Sequence, residues 1–155
     1  MARILNDPSV MDEGQARQAL IAAGVQLLAA LDSEGAADPA VVELVLPPQA
    51  RFVREVMNVD PPAIGEQGRD MGAWHINSVD EVHSVLDGEG IMEFVTAQGV
   101  VSVLVQGGDV LVIQQAEHRY LPLSRQRWAV RWAGDPSTEL IATQTGRTAQ
   151  PWPIG

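Results

Sequence analysis

The sequence predicts a mainly β protein: a small antiparallel β-barrel or jelly roll preceded by one N-terminal α-helix. Three observations predict it. From Gly72 onward the chain is a succession of short apolar or alternating segments, and turn residues separate them: GEG at 88–90, QG at 98–99, GGD at 107–109 and AGDPS at 133–137. The gaps are too short for the crossover helices that parallel strands require, so the strands must pair antiparallel. Closing such a meander removes its exposed edges and leaves an interior that can hold a site.

The helix is read from Met11 to Ala23, where Ala16, Ala19, Leu20 and Ala23 fall at the i, i+3, i+4, i+7 spacing of one helical face, with Asp12 and Glu13 near the N-terminus and Gly24 as the stop. Val25 to Leu31 reads as a short strand, although its periodicity also suits more helix. Ser33 to Asp38 is a loop. Between Pro39 and Val59 the signals conflict, since PAVVELVL and RFVREVMNV suit helix or strand and Pro47-Pro48 interrupts them. Asp60 to Arg69 is a connection rich in Pro and Gly. The strands expected after it are Trp74–Asn77, Glu81–Asp87, Ile91–Ala97, Val100–Gln106, Asp109–Gln114, His118–Leu123, Arg127–Trp132 and Glu139–Thr143. The tail QPWPIG is expected to lie irregularly on the barrel or to fray. The whole is read as one domain, 1–155, with helix and extension over 1–70 and the barrel over 71–145.

Composition narrows the chemistry. A formal charge of -10 disfavours nucleic acid or an anionic membrane as partner. There is no cysteine, which excludes disulfides, thiolate nucleophiles and Cys-ligated metals. All ten basic residues are arginines, so Schiff-base chemistry and a phosphate-loop lysine are excluded too. No apolar stretch reaches membrane-spanning length, and a cytoplasmic protein is expected.

What remains concentrates in Trp74 to Gly90, WHINSVDEVHSVLDGEG, which holds two of the three histidines with an acid between them. Imidazole and carboxylate are the usual ligands of iron, nickel and zinc. Strand parity puts His75 with Asn77 on one face and Glu81 with His83 on another, and a turn that preserves the inward sense would aim all four into the barrel. His118 follows the apolar strand DVLVIQ and could come alongside the Trp74 strand. The bland readings are hydrogen-bonded structural histidines, a solvated Glu81, core tryptophans at 74, 128 and 132, and a surface ion pair for Arg131.

These residues resemble the acireductone dioxygenase family of the cupin superfamily. That family's first motif runs roughly H-x-H-x-x-x-E-V, then an arginine, then a strand ending in a DG or EG turn; the chain reads His75-Ile76-Asn77-Ser78-Val79-Asp80-Glu81-Val82-His83-Ser84-Val85-Leu86-Asp87-Gly88. Gly108-Asp109-Val110-Leu111-Val112-Ile113 followed by His118 resembles the second motif. The likeness covers most of the chain, more loosely before Trp74, and takes in the N-terminal helix and the RWAVRW strand. It departs at Asn77, where the family has a second histidine, at His83, where it has an arginine, and at Gln114-Gln115-Ala116, where its Pro and Gly are missing and one residue fewer precedes the histidine.

The resemblance implies a cupin-type barrel and a metal-dependent dioxygenase that cleaves carbon-carbon bonds of an ene-diol small molecule with O2, or a specialised relative acting on another substrate. It implies Fe(II) or Ni(II), or another divalent metal, one per chain. His75, Asn77, Glu81 and His118 would be ligands, His83 the base or a further ligand, and Arg131 the group that neutralises substrate charge. A monomer or homodimer is expected, with a small-molecule substrate and O2 as partners and neither nucleic acid nor membrane. Two other classes stay open: a non-oxidative cupin enzyme (isomerase, cyclase or lyase) using His83 and Glu81 for proton transfer, and a small-molecule binding cupin that has lost a metal ligand.

Overall fold

The computed structural model describes residues 2–28, 52–59, 72–134 and 137–153. The expected loop at 33–38, the ambiguous PAVVELVL stretch and the 60–69 connection lie outside them. The elements are β1 (Arg3–Ile4), α1 (Glu13–Ala22), β2 (Val25–Leu28), β3 (Phe52–Val59), β4 (His75–Asn77), β5 (Glu81–Asp87), β6 (Glu89–Thr96), β7 (Gly99–Gln106), β8 (Val110–Ile113), β9 (His118–Pro122), β10 (Gln126–Ala133) and β11 (Ala142–Gln144).

The helix starts where its chemistry allows. The Asp12 carboxylate accepts from the Gln15 amide at 2.8 Å, and the Gln15 side chain accepts from the Asp12 amide at 3.0 Å, a reciprocal cap that satisfies two otherwise orphaned donors. It buries Ala16, Ala19 and Leu20. Gly24 then turns the chain at φ 90°, and a Cβ there would lie 3.0 Å from the Gln114 carbonyl, so the helix feeds straight into the β2–β8 pairing.

The strands form two antiparallel sheets, six-stranded in the order β1-β7-β6-β9-β4-β11 and five-stranded in the order β2-β8-β5-β10-β3. Residues of both sheets meet in one apolar cluster, with Met92, Phe94, Val103 and Tyr120 from the first and Val85, Leu111, Ile113 and Trp128 from the second. The mainly β antiparallel architecture is as expected, with one correction of closure. Among the described residues the two ladders do not join, and β1 and β11 edge one sheet while β2 and β3 edge the other. The stretch whose signals conflicted resolves over 52–59 as strand β3, because β10 pairs with it residue for residue from Gln126↔Val59 to Ala133↔Phe52.

The C-terminal segment lies along the outer face of the six-stranded sheet. Arg147 grips Glu117 through two hydrogen bonds of 2.8 and 3.0 Å, and Arg119 donates to the Gln150 carbonyl at 2.7 Å while its guanidinium stacks 3.7 Å from the Trp152 ring centre. Among the described residues no helix is long and apolar enough to cross a membrane.

Candidate functional site

Alternation along each strand decides which side chains share the space between the sheets. In β4, His75 and Asn77 are buried and Ile76 between them is exposed. His75 pairs with His118 across the β4–β9 ladder, and His118 pairs with Phe94 of β6, so the two imidazoles sit side by side on the inner face. On the facing sheet Glu81 lies opposite Ile113 and Trp132, and His83 opposite Leu111 and Val130. These neighbours are apolar. Four of the polar side chains expected inside are therefore brought there together with His118, as strand parity required.

The geometry is specific. The ring centres of His75 and His118 are 4.4 Å apart, and His118 Nε2 lies 3.6 Å from Glu81 Oε1. Asn77 Nδ2 donates to the same Glu81 oxygen at 2.8 Å. His75 Nδ1 is 2.8 Å from the Ala73 carbonyl and His118 Nδ1 is 2.8 Å from the Ala116 carbonyl. A carbonyl oxygen only accepts, so both Nδ1 atoms carry the proton and both Nε2 atoms keep a lone pair when the rings are neutral. That arrangement, an imidazole oriented by a backbone carbonyl behind it, is how metal-binding histidines are usually held.

Burial sets the charges. Glu81, 3% exposed, has its carboxyl raised to about 7 by desolvation, with the Asn77 hydrogen bond pulling the other way. Desolvation depresses His118 to about 4, helped by the neighbouring His75, and depresses His83 to about 3, helped by His118. Neutral imidazoles thus stand beside a buried acid that, among the described residues, meets Asn77 and His118 and no arginine. A divalent metal would supply the missing charge. The donor types and fixed tautomers fit such an ion, although among the described residues no three His, Cys, Asp or Glu side chains are drawn tightly enough together to surround one as they stand.

These shifts predict the acid behaviour of metal-free protein. Between about pH 4.5 and 6.5 the unfolded chain protonates His83 and His118 while the folded chain protonates only Glu81, a difference of one proton from these three groups. Their stability contribution is expected to rise with pH by about 1 kcal/mol per unit across that window, as the histidine contributions return and the smaller Glu81 contribution is lost. Denaturant melts of chelator-treated protein at half-unit steps measure it; a flat or falling profile would mean that the histidines are not buried neutral.

His83 is beside the metal candidates and not among their hydrogen bonds. Its ring meets Trp128 edge-on at 4.3 Å and lies 6.3 Å from Tyr120, and its Nε2 is buried without a partner. The Tyr120 hydroxyl bonds to Gln126 Oε1, and Gly90 gives Tyr120 its room, since a Cβ there would come within 2.7 Å of the phenol Cζ. Burial raises the Tyr120 hydroxyl far above its usual range. Tyr120 and Gln126 were not singled out in the sequence. Parity from His118 pointed to Tyr120 as the next inward side chain of β9, whereas nothing local announced Gln126.

Arg131 is a correction. It pairs with Val82, and Val82 shares its face with Val112, while Glu81 and His83 project to the other side. In this register Arg131 is on the outer face of the five-stranded sheet and points away from Glu81 and His83. The apolar face of β10 is Trp128, Val130 and Trp132, all buried. A surface groove of about 1170 Å³ between α1 and the β6–β7 and β8–β9 connections is also separate, lined by Asp12, Gln15, Thr96 and Gln115 among others and by none of the site's histidines.

No protein-family model matches the chain, and no curated protein matches it. Solved structures do. An acireductone dioxygenase from Bacillus anthracis, with a cadmium ion in its active centre, matches with a TM-score of 0.56 at 18% identity over 80% of this chain and 86% of that one. A mutant oxalate decarboxylase from Bacillus subtilis matches with a TM-score of 0.44 at 14% identity, over 79% of this chain and 28% of that one. The first of these likenesses shows the fold alone, which here is two antiparallel sheets with one helix before them.

Proposed function

We propose that the protein is a metal-dependent dioxygenase acting on an ene-diol small molecule with O2, with His75, Glu81 and His118 holding one divalent metal, Fe(II) or Ni(II). The observation that carries this is the buried Glu81 side chain 3.6 Å from His118 Nε2, with His75 alongside and both Nδ1 atoms tied to backbone carbonyls. The cadmium ion in the active centre of the Bacillus anthracis neighbour supports it. When bound, the metal supplies Lewis acidity and a template for two substrate oxygens.

The chain's own residues do the rest. Phe94 packs near His118, Trp128 against His83 and Trp132 opposite Glu81, and this buried apolar surface keeps water away and strengthens each polar contact beside it. His83, kept neutral by burial, offers a hydrogen-bond acceptor to a substrate hydroxyl; its low basicity suits it to orient that hydroxyl and to release any proton it takes. With Arg119 and Arg131 on outer faces, no arginine is assigned to neutralise the substrate.

Elemental analysis of protein expressed with iron or nickel is expected to find close to one equivalent of metal. Less than about a tenth of an equivalent, with no tight uptake on titration, overturns the reading in favour of a non-oxidative cupin. Oxygen consumption with a synthetic acireductone, followed by product analysis, then tests the reaction class.

A further inference from the structure

We infer that Asn77 is a positioning residue that acts through Glu81 and is not itself a metal ligand; this rests on the metal reading above. Asn77 stands where a ligand would be expected from its alternation with His75, yet its amide nitrogen, which cannot ligate, is what faces the site's acid: Nδ2 donates to Glu81 Oε1 at 2.8 Å. That oxygen is the one 3.6 Å from His118 Nε2. A carboxylate turns easily about its last torsion. The hydrogen bond from Asn77 selects which oxygen is presented to the imidazoles and holds it there.

The backbone around Asn77 is built to keep that donor in place. Ala142 of β11 pairs with Asn77, and the next residue is locked on both sides, with the Ser78 amide donating to the Ile141 carbonyl at 2.9 Å and the Ile141 amide donating to Ser78 Oγ at 3.0 Å. Asn77 is 5% exposed, so it does not exchange this bond for water. Its Oδ1 is buried with no partner and is left to accept from a hydroxyl or water bound beside it. The protein thus contributes two imidazoles and one oriented carboxylate.

A double-mutant cycle on metal affinity tests this without any assay of turnover. Ni(II) affinity is measured by chelator competition for wild type, Asn77→Ala, Glu81→Ala and the double variant, each confirmed as folded by its amide NMR spectrum. If Asn77 acts through Glu81, Asn77→Ala weakens Ni(II) binding by roughly ten- to a hundredfold in the wild-type background and by less than about twofold once Glu81 is gone. Equal losses in both backgrounds would make Asn77 an independent ligand and overturn the inference while leaving the metal reading intact. Wild-type protein that takes up no Ni(II) overturns both. Should Glu81→Ala not fold, Glu81→Met completes the cycle under the same criteria.

Discussion

Glu81→Gln is expected to weaken metal binding by more than about a hundredfold and, in the same protein, to stabilise the metal-free fold at high pH. Outer-shell partners of a metal are worth about ten- to a hundredfold in affinity, so loss of the sole proposed anionic ligand should exceed the upper end of that range. The opposite sign of the second effect follows from burial. With its carboxyl raised to about 7, ionised Glu81 is disfavoured in the metal-free protein by about 3 kcal/mol relative to the unfolded chain, and glutamine of the same shape removes that burden. At pH 8, metal-free Glu81→Gln should therefore resist denaturant better than metal-free wild type, while at pH 4.5 the difference should shrink because wild type is protonated there. Competition titrations and denaturant melts at the two pH values measure both. A glutamate kept for structure would show the reverse, unchanged metal content with lost stability.

Much of this site is legible in the sequence, for a simple reason: side chains on a strand alternate with a period of two. Parity alone put His75 with Asn77 and Glu81 with His83, and the His75↔His118 pairing was within reach of antiparallel order. The same rule contained the answer for Arg131. In RWAVRW the two arginines share one face and Trp128, Val130 and Trp132 the other, and an apolar triplet goes inward. What parity cannot supply is a contact between side chains brought together by a turn or by distant strands. The Asn77–Glu81 bond spans the 78–80 turn, Tyr120 and Gln126 meet only because β9 and β10 lie in facing sheets, and β11 settles on 142–144 because it pairs with β4. Expected at Glu139–Thr143, it is set by register and not by its own sequence.

Arg119→Met is expected to cause the largest loss of stability on the six-stranded sheet, about 3–5 kcal/mol. Arg119 and Glu93 are cross-strand neighbours on the outer face of β9 and β6, joined at 3.0 Å with side chains only 2% and 5% exposed. Burial already raises the Glu93 carboxyl, with Arg119 opposing that rise, so removing the guanidinium leaves an acid with nothing to balance its desolvation. The same substitution strips the donor from the Gln150 carbonyl and the cation from between Trp74 and Trp152. Denaturant unfolding should report the loss, and hydrogen exchange should rise selectively over residues 145–153 as the segment loses its anchor. Pairing the change with Glu93→Leu should recover most of the stability, since two apolar side chains no longer bury an uncompensated charge, but should not restore protection of 145–153, whose anchor is the arginine. A loss below about 1 kcal/mol would place the pair with exposed ion pairs and show that this face is open to solvent. Because Arg119 and His118 project to opposite faces of β9, Ni(II) affinity should stay within about twofold of wild type wherever the variant is folded; a larger drop would mean that the outer anchor also fixes the inner imidazole.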